Sequence, residues 1–323
     1  MRNDYLWDGS GEPDPEVQRL ERLLSEFRSY RPAPELPAAN RYPSARLRWT
    51  AIAATVVVAA AGAWLATRTP PEGWQVARAG SGSGRLAVGE TLETGAGGHA
   101  TVKIGDIGVV EVEPNSRLRL IRARRNEHRM ALEVGLIHAR IWAPPRSFVV
   151  DTPSAVAVDL GCSYTLAVAT DGAGLVKVTT GWVSFERDGR ESFIPAGAAC
   201  QTRPNLGPGT PYRQEASPAF RQALQDFDFA RGGDPALTAV LSEATRQDAF
   251  TLWHLLMRGE PGQKERVYDT LAGLVPPPAG VTRAGVLRGD RKMLDDWWDQ
   301  LGLGDTTWWR HLEGKWPESG AGR

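Results

Sequence analysis

Cysteine is nearly absent: Cys162 and Cys200 are the only two in 323 residues. That excludes a disulfide-dense secreted scaffold and the Cys-rich zinc folds. Charge of either sign in excess is also lacking, since 38 basic residues face 38 acidic ones. A nucleic-acid binder shows a basic domain, so direct nucleic-acid binding is not expected. The five histidines, His99, His128, His138, His254 and His311, never pair with one another or with cysteine at metal-ligand spacing. They read as structural or exposed groups, His138 facing solvent from a strand, and no metal or cofactor is expected. No G-x-S-x-G elbow or phosphate loop occurs; the glycine clusters Gly80–Gly84 and Gly95–Gly98 lack the spacing and the surrounding strand–loop–helix unit. The neighbouring carboxylates Asp295 and Asp296 diverge from one helix rather than converge across a cleft. An enzyme is therefore not expected.

Long apolar runs are scarce too, and the one present divides the chain. Trp49–Ala66 carries no charge over 18 residues. As a helix it would be roughly 27 Å long, just under a hydrocarbon core of about 30 Å. Trp49 and Trp64 bracket it as interface aromatics do. A cleaved signal peptide would start basic and reach its apolar core at once, whereas this chain opens with Asp4, Asp8, Glu12, Asp14 and Glu16. A buried core helix is the other alternative. Arg41, Arg46 and Arg48 crowd the near side of the run, which favours an N-terminus on the cytoplasmic side. Both cysteines lie beyond the run, which fits an oxidising compartment there and a Cys162–Cys200 disulfide. Two buried free thiols are the alternative.

Residues 1–30 contain one amphipathic helix, Asp14–Arg28. Asp14 serves as cap, Pro15 opens the helix and Glu16 complements its dipole. Val17, Leu20, Leu23, Leu24 and Phe27 form one apolar stripe. The 48 residues before the apolar run cannot build a core around that stripe unaided, and an isolated helix this short is marginal in water. The stripe therefore requires a partner: another protein, a second copy or the membrane surface. Its mixed charges disfavour the last. Residues 31–48 are a proline-rich linker.

From 74 to 203 short alternating runs recur about every ten residues, separated by turns such as Gly105-Asp106, Pro114-Asn115, Asp171-Gly172 and Asp188-Gly189. That pattern predicts an all-β domain: a sandwich, a roll or a short solenoid. From 212 to 318 the period becomes helical, with Ser217-Pro218 and Asp234-Pro235 as starts. Helices are expected around 248–258, 264–274, 292–301 and 306–313, comparable to HEAT-like pairs. Trp297, Trp298, Trp308, Trp309 and Trp316 read as the filling of that helical core, with sugar stacking or partner docking as the alternative. Arg122, Arg124, Arg125 and Arg129 read as a solvated loop, with an anionic envelope polymer as a lesser option.

The β segment resembles the FecR domain. The residues that carry the resemblance are Leu86-x-x-Gly-Glu-x-Leu-x-Thr-Gly95, Ala100-Thr-Val-Lys-Ile-Gly-Asp106, Glu113-Pro-Asn-Ser-Arg-Leu118, Leu132-Glu-Val-Gly-Leu136, Phe148-Val-Val-Asp-Thr-Pro153, Gly161-Cys-Ser-Tyr164, Val178-Thr-Thr-Gly-Trp-Val183 and Pro195-Ala-Gly197. The chain departs at Cys162, where the family usually has threonine. The resemblance implies a single-pass inner-membrane protein with a short cytoplasmic segment and a periplasmic β domain. It further implies regulation of an extracytoplasmic-function sigma factor, touched by the cytoplasmic segment, in response to a periplasmic signal. Iron-uptake members receive that signal from an outer-membrane receptor and end in a receptor-like domain, whereas this chain ends in helices. The alternative is an anchored envelope scaffold or a ligand- or polysaccharide-binding protein.

Overall fold

The computed structural model describes residues 14–25, 73–78 and 82–303. The chain divides into two units, residues 1–68 and 69–323. In the first, helix α1 (Pro15–Ser25) opens as expected: the Asp14 carboxylate accepts from the Glu16 N–H at 2.8 Å. Among the described residues no helix is long and apolar enough to cross a membrane, and the run Trp49–Ala66 lies outside them.

Sixteen strands are described in the second unit: β1 (Gly73–Arg78), β2 (Gly82–Ala87), β3 (Thr91–Glu93), β4 (Ala100–Ile104), β5 (Gly108–Val112), β6 (Arg117–Arg124), β7 (Glu127–Ile141), β8 (Phe148–Asp151), β9 (Val156–Asp159), β10 (Ser163–Val168), β11 (Gly174–Thr180), β12 (Trp182–Arg187), β13 (Arg190–Pro195), β14 (Ala198–Arg203), β15 (Gly207–Pro208) and β16 (Tyr212–Arg213). They form two sheets that share β7. One runs β2-β1-β4-β5-β7-β10-β11-β14, the other β3-β6-β7-β8-β9-β12-β13. All the described pairings are antiparallel except β7 with β8. A solenoid stacks parallel strands, so that alternative falls and a two-sheet packing stands.

The long strand β7 changes sheets at Gly135. Before it, residues up to Val134 pair with β6; from Gly135 onward they pair with β10. Gly135 has φ +112°, and a Cβ there would overlap Ser116. The Ser116 hydroxyl instead accepts from the Leu136 N–H at 3.0 Å. A residue with a side chain is excluded at this corner by both strain and space. Along the strands, alternate residues are buried, as in β4 (Ala100, Val102, Ile104) and β10 (Tyr164, Leu166, Val168). This period-2 pattern places apolar side chains between the sheets.

The helices follow: α2 (Pro218–Phe229), α3 (Gly233–Glu243), α4 (Ala249–Arg258), α5 (Pro261–Leu274), α6 (Arg283–Leu287) and α7 (Arg291–Asp299). Ser217 caps α2 by accepting from the Phe220 N–H at 3.0 Å, and Pro218 occupies its first turn. Helix α2 packs on α3 and α4 on α5. One continuous apolar core runs from Trp74 of β1 to Trp298 of α7, so strands and helices share their interior. Trp297 and Trp298 are buried in it and are unavailable for stacking on a sugar. Trp308, Trp309 and Trp316 lie outside the described residues.

Candidate functional site

Among the described residues of its own unit, nothing covers the apolar stripe of α1. No residue of the helix is buried, and Leu20, Leu23 and Leu24 are 58%, 58% and 63% exposed. Val17 lies on the same helix; Phe27 falls outside the described residues. Three adjacent leucines left in water on one short helix are a surface that association would bury.

The second unit holds three clusters whose pairings sequence reasoning does not foresee, although it singles out Trp298, His254 and Cys162. The first joins helices to strands. Arg258, the last residue of α4, donates from Nη1 to Thr210 Oγ1 at 2.8 Å, and from Nη2 to Ser192 Oγ at 2.6 Å and the Glu191 carbonyl at 2.9 Å. Its guanidinium lies 3.9 Å from Asp228 of α2, whose side chain is 3% exposed. Asp228 also accepts from the Thr210 N–H at 2.6 Å, the Thr210 hydroxyl at 3.0 Å and Arg190 Nη2 at 3.0 Å. Burial pulls the Arg258 pKa down to about 10 against the opposing pull of Asp228, so it remains charged at neutral pH. The cluster ties β13, the loop after β15, α2 and α4 together. A weak clue was readable: a basic residue at Arg258, just before Gly259, suits a helix C-terminus.

The second cluster is aromatic and polar. Trp298 of α7 meets Trp253 (4.6 Å between ring centroids), His254 (5.7 Å), Trp182 (5.8 Å) and Phe193 (6.2 Å). His254 Nε2 accepts from the Phe193 N–H at 3.0 Å, which leaves Nδ1 to donate to the Phe250 carbonyl at 2.7 Å. His254 is thus the structural histidine expected, holding α4 against β13.

The third cluster surrounds Cys162. Its thiol donates to Asp159 Oδ2 at 2.7 Å, and Asp159 Oδ1 accepts from the Gly161 N–H at 2.7 Å. The Tyr164 hydroxyl is buried without a hydrogen-bond partner among the described residues. Burial pushes Asp159 up to about 7 despite the bonds from Cys162 and Gly161, and pushes Cys162 and Tyr164 well up. A buried thiol held in its protonated form is not a reactive one. Cys200 is likewise buried, its Sγ 3.2 Å from the Gly209 carbonyl, with its pKa pushed up to about 12 by burial.

The expected disulfide is absent: Cys162 and Cys200 are both free and buried. The register gives the reason. Leu166 of β10 pairs with Val176 of β11, and Val176 with Cys200 of β14. Cys162 is therefore two strands and four residues away, about 16 Å by strand spacing, where a bridge needs less than about 7 Å.

Asp159 makes stability depend on pH. Its folded pKa lies above the unfolded value, so the contribution of the neutral carboxyl is complete below about pH 4 and is lost as pH rises to about 7. Asp159→Asn removes this loss. Relative to wild type, the variant should gain stability at pH 8 compared with pH 5, by at most about 2.5 kcal/mol, because part of the loss is already complete at pH 5. Denaturant titrations of both proteins at the two pH values measure it; an identical difference at pH 5 and pH 8 would refute it.

Among the described residues no group of three or more His, Cys, Asp or Glu side chains could hold a metal ion. The arginine run is a hairpin rather than a loop: Arg124 pairs with Glu127 across the β6–β7 turn. Arg129 makes a two-pronged pair with Asp151 at 2.7 and 2.8 Å, and Arg122 pairs with Glu127. Arg124 and Arg125 remain exposed at the tip.

Comparison with known proteins bears on the β strands. No curated protein matches the chain. Two crystal structures of a "putative anti-sigma factor" from Parabacteroides distasonis ATCC 8503, at 1.65 and 2.50 Å resolution, are each 18% identical with a TM-score of 0.34. Each likeness covers 42% of this chain and 63% of the other, so the chain spans under two thirds of those neighbours. Over residues 90–184, from the residue before β3 into β12, the chain matches the family described as FecR protein, and the resemblance read from its sequence holds for that stretch.

Proposed function

We propose that the chain is a non-enzymatic, single-pass inner-membrane regulator of an extracytoplasmic-function sigma factor. In this reading Trp49–Ala66 crosses the membrane, α1 meets the sigma factor in the cytoplasm and the FecR-like β domain receives a periplasmic signal. The observation that carries it is the uncovered stripe Leu20, Leu23 and Leu24, in a chain whose residues 90–184 match the FecR family. A helix with an apolar stripe binds by laying that face into a groove, with anchors three and four residues apart. Arg22 of α1 stands opposite the stripe, with Arg19 and Glu21 on its flanks.

The test is capture of the host's extracytoplasmic-function sigma factors by the full chain in detergent. One of them is expected to be retained. Leu20→Asp with Leu24→Asp should weaken that binding at least about 100-fold, because each buries a charge where an apolar anchor stood. Arg22→Ala on the polar face should change it less than about threefold. Retention of no sigma factor, or equal binding by the double variant, would overturn the reading.

A further inference from the structure

The end of the β domain where the chain arrives at Gly73 has a distinct chemistry. Gly73 pairs with Ala87, and Gln75 with Lys103, so the start of β1 lies beside the β2 end and the β4–β5 turn. Trp74 donates from its indole nitrogen to His128 Nδ1 at 3.2 Å, two residues past the β6–β7 turn. The His128 ring is buried, which pulls its pKa down, and it bonds the Arg125 backbone. The β6–β7 hairpin therefore extends past the same end. Trp142 is there too, donating from its backbone to the Ile107 carbonyl at 2.9 Å and from its indole to the Asp106 carbonyl at 3.0 Å.

Two of the exposed large apolar residues of this unit sit on these turns: Trp142, 65% exposed, and Val88, 43% exposed. Arg85, Arg124 and Arg125 are exposed at the same end and have no ion-pair partner among the described residues. The acids facing them are accounted for. Asp106 lies 4.0 Å from Lys103, Glu127 pairs with Arg122, and Glu90 accepts from the Ala87 N–H at 2.8 Å. Five basic residues (Arg85, Lys103, Arg122, Arg124, Arg125) thus stand against three acidic ones, a balance of +2.

Residues 67–72 separate this end from the apolar run. From Ala66 to Gly73 they reach at most about 25 Å. If Trp49–Ala66 is a membrane anchor, this end is the part of the domain tethered nearest the bilayer. A tether this short holds the arginines at high effective concentration over the surface. Basic side chains are drawn to anionic headgroups within about a Debye length, and an indole is suited to the interface.

We propose that this end is a membrane foot: Arg85, Arg124 and Arg125, with Trp142 and Val88, rest on the anionic phospholipid surface of the bilayer that Trp49–Ala66 enters. The inference rests on the anchor reading. It adds that the β domain stands on the membrane by one defined end, with the β10–β11 turn at Thr170 pointing away. β10 supports this, since Ser163 pairs with Arg140 near the foot and Val168 with Gly135 at the far corner.

The full chain in lipid nanodiscs tests it. The native cysteines are buried, so a nitroxide at Asn126→Cys reports the hairpin tip and one at Thr170→Cys the far turn. In discs of phosphatidylcholine and phosphatidylglycerol at 3:1, a headgroup-chelated nickel relaxer should relax the label at 126 at least fivefold more than the label at 170. Arg124→Glu with Arg125→Glu should cut that effect at least threefold, as should replacing the discs with pure phosphatidylcholine. Equal relaxation at both positions in chain that resists alkaline extraction overturns the foot and leaves the anchor standing. Release of the chain by alkaline extraction overturns the anchor and the foot together.

Discussion

Arg258→Ala is expected to destabilise the second unit by about 3–5 kcal/mol, the cost typical of removing one partner of a buried ion pair. The loss is not the Coulomb attraction alone. Arg258 supplies hydrogen bonds to Thr210, Ser192 and the Glu191 carbonyl. Without it, buried acceptors lose their donor and the carboxylate of Asp228 keeps only Thr210 and Arg190. Arg258→Lys should recover part of the loss, since an ammonium keeps the charge but cannot span the same acceptors as a planar fork. Arg258→Met with Asp228→Asn should be less damaging than Arg258→Ala, because the charge that then loses its partner is Arg190, which is 32% exposed and keeps water, rather than the buried Asp228 carboxylate. Urea titration of the full chain in detergent measures all three. A loss under about 1 kcal/mol for Arg258→Ala would mean that water replaces the guanidinium and that the helices are not held through it.

Trp298→Ala should cost a similar amount, about 3–5 kcal/mol. Its ring is 1% exposed and meets aromatic rings from α4, β12 and β13. Removal leaves a cavity that neighbours on three elements cannot close by a small shift. The near-ultraviolet circular dichroism of the tryptophans should fall together with stability, because the coupled rings lose their fixed geometry. Trp142→Ala is the control: the same side chain is removed from an exposed position, and the change should stay within about 0.5 kcal/mol. Equal effects at the two sites would show that the aromatic cluster does not hold α7 to the sheet.

What the sequence makes legible follows the range of the interactions. Alternation in Ala100–Ile104 or Tyr164–Val168 is local, and the strands stand where it occurs. Ser217-Pro218 and the helical period after it are local too. The Arg122–Arg129 segment misled because its arginines mask a strand pattern. Leu118, Leu120 and Met130 point inward while Arg122 meets Glu127 and Arg129 meets Asp151 on the outer surface. The disulfide misled because shared location in a compartment says nothing of register. The Arg258–Asp228 contact joins residues 30 positions apart through a third segment at Thr210, which no window on the sequence spans. Asp159 was the most readable of the missed groups, a lone charge ending the apolar run Ala155–Val158. Its pairing with Cys162 required the turn at Gly161 to be seen.

Strand β7 bears on which insertions and deletions the chain can absorb. Its first half is read by β6 and β8 and its second half by β5 and β10, with Gly135 as the boundary. One residue added on either side of Gly135 would turn that half's side chains over, inward to outward, while the other half stayed in phase. The two sheets could then no longer face each other correctly. The hairpin tips at Asn126 and Asp188–Gly189 carry no such double bookkeeping, so variation in length should collect there and spare the shared strand.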